Sequence, residues 1–208
     1  MKKLSKIVVL FFALAITFSL VGCGEEPSNP GVYDGGTVGG ARTLTTLSDL
    51  SLPTGVLTAT VLKAANLELS GNPTLTVTGG AIVITDRVND WDTVTIKKEF
   101  FDGFIEDGDS PPYEVTFRGT VQAAISGEKT ILKIAGSGNG AGDASGANAK
   151  KTFEDGTFEV VGTVSAANLT ATQYTPGIRL QTESATGNND GANSRTATIT
   201  ITDIIVKK

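Results

Sequence analysis

Hydrophobic and polar residues alternate in short runs over most of the chain from residue 67 onward, which is the pattern of half-buried β-strands. In the clearest run, the odd-numbered positions from Tyr113 to Val121 fall on one face and the polar residues between them fall on the other. Thr, Val and Ile dominate such runs, and no segment keeps helical spacing. The pattern predicts an all-β, antiparallel sandwich or barrel. Its further strands are predicted at 75–78, 81–85, 94–97, 131–135, 158–164, 178–182 and 196–206.

The pattern is weaker in three other stretches. Residues 44–63 are rich in Leu and Val, but Pro53 and Gly55 interrupt any helix, so we expect an extended lead-in with room for one strand. Residues 136–148 and 184–194 consist almost wholly of small and polar residues. We expect both to be mobile loops. They are read as ordinary surface connections, with a position beside a ligand as the alternative.

The beginning of the chain carries a targeting signal. Three lysines within the first six residues precede an apolar run at 7–21, which is too short for a comfortable membrane span and typical of a secretory signal. The run ends at residues 20–23 in Leu-Val-Gly-Cys, which resembles the bacterial lipobox, where the cysteine is acylated and becomes the mature N-terminus. The alternative is an ordinary signal peptide cut near the same glycine.

The lipobox divides the chain into three predicted parts. They are a signal peptide at 1–22, a lipidated Cys23 with a flexible tether at 23–43, and a β-sandwich domain at 44–208. This predicts a protein of the bacterial cell envelope that contacts the membrane through its lipid alone. Gly24 rather than Asp follows the cysteine, which resembles sorting to the outer membrane or cell surface rather than to the inner membrane.

Composition excludes several kinds of chemistry. The chain contains one cysteine and no histidine, so Ser-His-Asp and Cys-His catalysis and zinc, copper or haem sites are disfavoured. Its formal net charge is −5, and removal of the three leader lysines would leave 14 positive against 22 negative residues. Such a surface repels phosphate backbones and anionic lipids, which argues against nucleic acid and direct membrane adsorption. Neutral polymers or cations fit better.

Three separated strings resemble one family of binding modules. They are 81–87, followed by Trp91, then 113–119, then 198–206. In this order they resemble strands of the jelly-roll carbohydrate-binding modules attached to xylanases, the group of families 4, 9 and 22. The resemblance implies a galactose-binding-like jelly-roll sandwich that binds polysaccharide without catalysis. The chain departs from the family pattern at Asp86, where the family has Gly before its arginine, and in its aromatic content of only 6%.

Two candidate ligand-binding residues lie at the end of the first of these strings and just after it. Trp91 is the only tryptophan, and it could stack on a sugar ring or fill the core. Arg87 matches the family's arginine, which the resemblance implies to be ligand-facing. The alternative for Arg87 is a solvated ion pair with Asp86 or Asp90.

A second candidate group lies in the strand predicted at 178–182. Arg179, Gln181 and Glu183 alternate with apolar residues, so one face there carries only long polar side chains. A guanidinium, an amide and a carboxylate together suit the hydroxyl groups of a sugar. An ordinary solvated face is the alternative. The same two interpretations apply to the polar side of the strand at 113–123, which carries Glu114, Arg118 and Gln122.

The resemblance also implies a metal ion. The family often holds a structural Ca²⁺ between its first and last strands, with a Glu near the start and an Asp of the last strand as ligands. Those positions correspond to Glu68 and Asp203 here. Calcium takes six to eight oxygen ligands. Asp203 interrupts an apolar and Thr-rich strand, where a buried carboxylate needs a cation or hydrogen bonds.

These observations predict a membrane-anchored lipoprotein that binds polysaccharide or oligosaccharide without catalysis. Two other functions remain open. One is a structural or adhesive surface lipoprotein that binds a protein partner. The other is a carboxylate-dependent glycosidase, for which no pair of carboxylates stands out in the sequence.

Overall fold

Strands account for most of the regular structure in the computed structural model, which describes residues 42–45, 54–57, 67–98, 112–137, 141–170, 175–183 and 194–207. The predictions for residues 1–41 lie outside these ranges. Within them, no helix is long and apolar enough to cross a membrane. A short 3-10 helix spans Ala166–Leu169. The strands are β1 (Arg42–Thr45), β2 (Gly55–Leu57), β3 (Leu67–Ser70), β4 (Thr74–Thr78), β5 (Ala81–Thr85), β6 (Thr93–Lys97), β7 (Tyr113–Gln122), β8 (Thr130–Gly136), β9 (Lys150–Phe153), β10 (Gly156–Val164), β11 (Gly177–Thr182) and β12 (Thr198–Lys207).

Each run predicted from residue 75 onward corresponds to one of these strands. In β7, Tyr113, Val115 and Phe117 are buried, whereas Glu114 and Arg118 are exposed, so the predicted alternation is confirmed. Such a strand forms because one pleat face can pack on a core while the other meets water. Strand β9 escaped prediction because its sequence, Lys-Lys-Thr-Phe, lacks that alternation.

The strand pairing identifies a jelly roll. The described strands form a seven-stranded sheet in the order β10-β7-β12-β5-β4-β2, with β1 also paired to β12, and a five-stranded sheet in the order β3-β6-β11-β8-β9. All pairs are antiparallel, and β5 pairs with β12, β6 with β11, β7 with β10, and β8 with β9. This nested pairing is that of a long hairpin rolled into two sheets. The predicted fold class, an antiparallel jelly-roll sandwich, is confirmed.

The core lies between the two sheets. Leu67, Ile96 and Leu132 of the five-stranded sheet and Ile84 and Phe117 of the seven-stranded sheet belong to one cluster of buried residues. Full burial of each such side chain contributes roughly 1.5–3 kcal/mol relative to exposure. Packing of the two inner faces is therefore the main stabilising feature of the domain.

A β-bulge in β12 changes which residues face the core. The pairing of β12 with β7 shifts register between Ile201 and Asp203, so Thr202 is an extra residue. Ile201 is buried before the bulge and Ile204 after it, while Asp203 pairs with Arg118 on the outward face. The bulge therefore places Asp203 half-buried on the outward face and not in the core.

The direction of the strands defines two ends of the sandwich. Strand β12 runs from Thr198, which pairs with Gln122, to Lys207. Strand β5 runs the opposite way and ends beside Ile199, so the loop that follows it lies at the Thr198 end. Strand β1 begins at Arg42, which pairs with Val206 at the other end.

Candidate functional site

The predicted polar row on β11 lies on the outward face of the five-stranded sheet. Arg179, Gln181 and Glu183 alternate with the buried core residues of β11. Lys133 of β8 pairs directly with Gln181, and Lys150 of β9 pairs directly with Lys133. Directly paired residues of antiparallel strands share a face. These five side chains therefore form one surface across three strands, which we name the polar face.

Ion pairs and hydrogen bonds fix the side chains of the polar face. Arg179 Nε donates to Gln181 Oε1 at 2.7 Å. Lys150 Nζ donates to Glu183 Oε1 at 2.6 Å, and Lys133 Nζ lies 3.6 Å from Glu183 Oε2. The sheet thus presents donors and acceptors in set positions rather than a set of independent, solvated side chains.

Partial burial strengthens these interactions. The side chains of Lys133 and Glu183 are 15% and 28% exposed, and Gln181 is 9% exposed. Charges and hydrogen bonds act more strongly there than in bulk water because the local dielectric constant is lower. The polar face is consequently a preorganised surface.

The glycine-rich loop after β8 borders the polar face. Asp143 Oδ2 accepts a hydrogen bond from Lys133 Nζ at 2.9 Å, and Asp143 pairs with Ala135 beyond the end of β9. The Asn168 amide donates to the carbonyl groups of Ala141 and Asp143, both at 3.0 Å. The described part of this loop is hydrogen-bonded to its surroundings, in contrast to the mobile loop expected from its composition. Residues 138–140 and 184–193 lie outside the described ranges.

The other half of the same sheet surface is buried at its centre. Thr93 and Thr95 of β6 share the outward side with Ser70 of β3, yet both threonines are buried. Ser70 Oγ and Thr95 Oγ1 share a hydrogen bond of 2.5 Å. The buried Thr93 hydroxyl has no hydrogen-bond partner within the described residues. The polar side chains that reach solvent in this sheet therefore include those of β8, β9 and β11.

Trp91 lies at the end of β11 and is 50% exposed. Its loop, residues 86–92, joins β5 to β6 across the end of the sandwich. Thr182 N of β11 donates to Asp90 O at 3.2 Å, so the loop contacts the strand directly beside Gln181 and Glu183. The alternative that Trp91 fills the core is wrong. Its half-exposed indole is available for contact with a ligand.

Two backbone positions are constrained here, one in the loop that carries Trp91 and one in the β3–β4 turn packed against it. Asp86 has φ of +54°, in the left-handed region that favours Gly and, among other residues, Asp and Asn. This is the position at which the resembling modules have Gly. Across the loop, Asp92 packs on Gly71, where an added Cβ would lie 1.9 Å from Asp92 Oδ1. Asp86 tolerates the left-handed backbone conformation, and Gly71 leaves the space that the Asp92 side chain occupies.

The structure turns Arg87 into the protein rather than toward solvent. Its guanidinium donates to four acceptors: Asp92 O at 2.7 Å, Asp90 O at 2.9 Å, Thr182 Oγ1 at 2.8 Å and Ser194 O at 3.2 Å. Burial lowers the pKa of Arg87 to about 10, against the opposing effect of Asp90 and Asp92. A solvated ion pair is therefore wrong for Arg87, and direct contact with a ligand stays a prediction.

The two predicted calcium ligands lie in different sheets. Glu68 is in β3 of the five-stranded sheet, and Asp203 is in β12 of the seven-stranded sheet, on its outward face. Asp203 Oδ2 accepts a hydrogen bond from Thr202 Oγ1 at 2.9 Å. In the part of the chain that the structure describes, no three Asp, Glu, Cys or His residues form a group suited to a metal ion. Calcium binding stays a prediction.

Sequence reasoning missed the two lysines of the polar face. Lys133 lies in the predicted run at 131–135, between Leu132 and Ile134, so the same alternation that marked Arg179 could have marked it. Lys150 lies in the unpredicted strand β9. Both lysines contact Glu183 because β8, β9 and β11 are neighbours in the sheet. The alternation of residues in the sequence does not show this strand order.

Comparison with known proteins shows a distant similarity to a solved structure. No family model matches the chain, and no curated protein matches it. Among solved structures, it is similar to the CBM22-1–GH10 modules of an N-terminal endo-1,4-β-D-xylanase 10B of Clostridium thermocellum complexed with xylohexaose, with 15% identity and a TM-score of 0.39. The similarity covers 69% of this chain and 26% of that one. The chain therefore spans about a quarter of that protein, and at this TM-score the strand pairing remains the basis of the fold assignment.

Proposed function

We propose that this protein binds glycan chains without catalysis, through the polar face and Trp91. A half-exposed indole at the end of a strand with a preorganised polar surface carries this proposal. A sugar ring offers an apolar C–H face and a rim of hydroxyl groups, so a binding site needs an aromatic surface together with donors and acceptors. The contact of the Trp91 loop with β11 at Thr182 supports this combination.

A hydroxyl group both donates and accepts hydrogen bonds, and the polar face offers acceptors and donors for it. Arg179, Lys133 and Lys150 can only donate, Glu183 accepts, and the Gln181 amide does both. A site that pairs with hydroxyl groups discriminates against ligands that lack them, because its own polar groups are then left unpaired. This mixture supports a glycan rather than an apolar ligand.

The carboxylates of this surface suit binding better than hydrolysis. A glycosidase needs one carboxyl that gives up a proton and a second that attacks the sugar or activates water. Glu183 and Asp143 each accept a hydrogen bond from a lysine ammonium group instead.

We also propose that Cys23 carries the lipid that anchors the domain to a bacterial envelope membrane. The lipobox-like residues 20–23 support this. Strand β1 begins at Arg42, at the opposite end of the sandwich from the Trp91 loop. An anchor before β1 would therefore leave the Trp91 end free to reach glycans.

A glycan array with the full chain in detergent tests the proposed function. We expect selective binding to hydroxyl-rich polysaccharides, weakened about 10- to 100-fold by Trp91→Ala, because the indole loses its stacking area. Ile125→Ala is the matched control, since Ile125 is an exposed apolar residue on a different loop. Binding to no glycan by the folded chain, or equal binding by the Trp91→Ala variant, would contradict the proposal. A protein partner would then be the better candidate.

A further inference from the structure

Arg87 contacts the backbone on both sides of the exposed tryptophan. Its Nε donates to the carbonyl of Asp92, and its Nη2 donates to the carbonyl of Asp90. These are the residues immediately after and before Trp91. One buried side chain therefore fixes the peptide groups that flank the indole.

The same guanidinium connects this loop to two other segments. Nη2 also donates to Thr182 Oγ1 at the end of β11, and Nη1 donates to Ser194 O just before β12. Thr182 and Ser194 are both fully buried. The loop is thus hydrogen-bonded through Arg87 to β11, which carries part of the polar face, and to the residues just before β12. Its position relative to β11 follows from these contacts.

Asp92 fixes the loop from its other side. Its Oδ2 accepts from the backbone N–H groups of Val88 and Asn89, both at 2.9 Å. Burial alone would raise the pKa of Asp92, but these hydrogen bonds and the positive charge of Arg87 hold it below its ordinary value. The Trp91 loop is therefore closed by a cation on one side and a carboxylate on the other.

We propose that Arg87 is a positioning residue for glycan binding, which keeps the Trp91 indole exposed and in place at the end of β11. This inference rests on the proposed function. A side chain that is ordered before binding loses less conformational entropy when the ligand arrives. Arg87 acts through Trp91 and needs no contact with the glycan.

Two substitutions and the single tryptophan provide the test. Arg87→Lys keeps the charge, but a compact ammonium cannot reach four acceptors arranged around a planar fork, and Arg87→Gln removes the charge as well. Trp91 is the only tryptophan in the chain, so fluorescence anisotropy and acrylamide quenching report on its loop alone. The matched control is Arg118→Lys, at an exposed arginine on the other sheet.

For the full-length Arg87 variants without glycan, we expect lower Trp91 anisotropy and stronger quenching, and about 3- to 10-fold weaker glycan binding. Arg87→Gln should have the larger effect, and Arg118→Lys should have none. Arg87→Lys that remains folded by circular dichroism, with unchanged anisotropy and affinity, would overturn the inference. A lower melting temperature alone would do the same, because a purely structural role predicts that result. Unchanged binding by Trp91→Ala would instead reject the proposed function.

Discussion

The outward faces of the two sheets carry similar residues in different settings. On the seven-stranded sheet, Arg118 and Glu159 form an ion pair in which both side chains are 49% exposed. On the five-stranded sheet, the side chains of Lys133 and Glu183 are 15% and 28% exposed, and they join the exposed Lys150 and Asp143 in one network beside the buried Gln181. The alternation of polar and apolar residues in the sequence predicts both outward faces equally well. The two faces differ in how deeply their charged side chains are buried.

This difference matters because polar groups are costly to bury unless they are paired. An exposed ion pair contributes little to stability and is screened by salt. A partly buried network fixes its members and withholds them from bulk water, so a ligand meets groups that are already oriented. The comparison therefore favours the five-stranded sheet as the binding surface.

The largest expected effect is on binding, and it separates the two faces directly. Arg179→Ala with Glu183→Ala should weaken glycan binding about 10- to 100-fold, because it removes a charged donor and a charged acceptor from the polar face. Glu114→Ala with Arg118→Ala removes the same two charge types from the other face and should leave affinity unchanged. Isothermal titration calorimetry measures both. Equal losses in the two double variants would remove the distinction between the faces.

The second effect is on stability. Lys133→Met should lower the free energy of unfolding by about 1–2 kcal/mol, because Lys133 is mostly buried and pairs with Asp143 and Glu183. Arg118→Met should lower it by less than about 0.5 kcal/mol, because its pair is exposed. Urea titrations of the two variants give both values. A larger loss of unfolding free energy for Arg118→Met than for Lys133→Met would show that the exposure of an ion pair does not determine its contribution to stability.

The smallest effect concerns acid stability and extends the comparison to two loops. Asp92 closes the Trp91 loop, whereas the exposed Asp155 accepts a hydrogen bond from Ala123 N beside the seven-stranded sheet. Because the pKa of Asp92 is lower in the folded state than its ordinary value near 3.8, it stabilises the protein above that pH. This contribution disappears as the pH falls through the lower folded-state pKa.

Unfolding free energies measured from pH 7 to pH 2 test this sign. Asp92→Asn should lose less stability on acidification than the unsubstituted chain does, and Asp155→Asn is measured beside it as a control at an exposed aspartate. An Asp92→Asn profile that falls as steeply as the original would show that the carboxylate contributes nothing pH-dependent.

Much of the fold could be predicted because the alternation is a local property. Tyr113 to Val121 shows both faces of β7 in the sequence itself. The turn of Asp203 to the outward face could not be predicted, since a one-residue bulge at Thr202 reverses every later position and leaves no periodic signal.

The candidate site was predictable only in part for a different reason. Arg179, Gln181 and Glu183 share a face because they alternate along β11 and the residue that follows it, and the alternation in the sequence shows this. Their contacts with Lys133 and Lys150 depend on which strands become neighbours. Likewise, nothing in the spacing of Arg87 and Trp91 indicates that the arginine turns inward to the carbonyl groups beside the indole.

The position of β1 has a mechanical consequence. Arg42 pairs with Val206 and Thr45 with Asp203, so β1 runs inward from the end opposite Trp91. A pull on Arg42 along the strands, against a ligand held at Trp91, would slide β1 along β12. Ladder hydrogen bonds lie perpendicular to the strands, so they would share this load together instead of opening one after another. If the chain is anchored before β1 and binds glycan at Trp91, as proposed, this arrangement would resist traction between the two points.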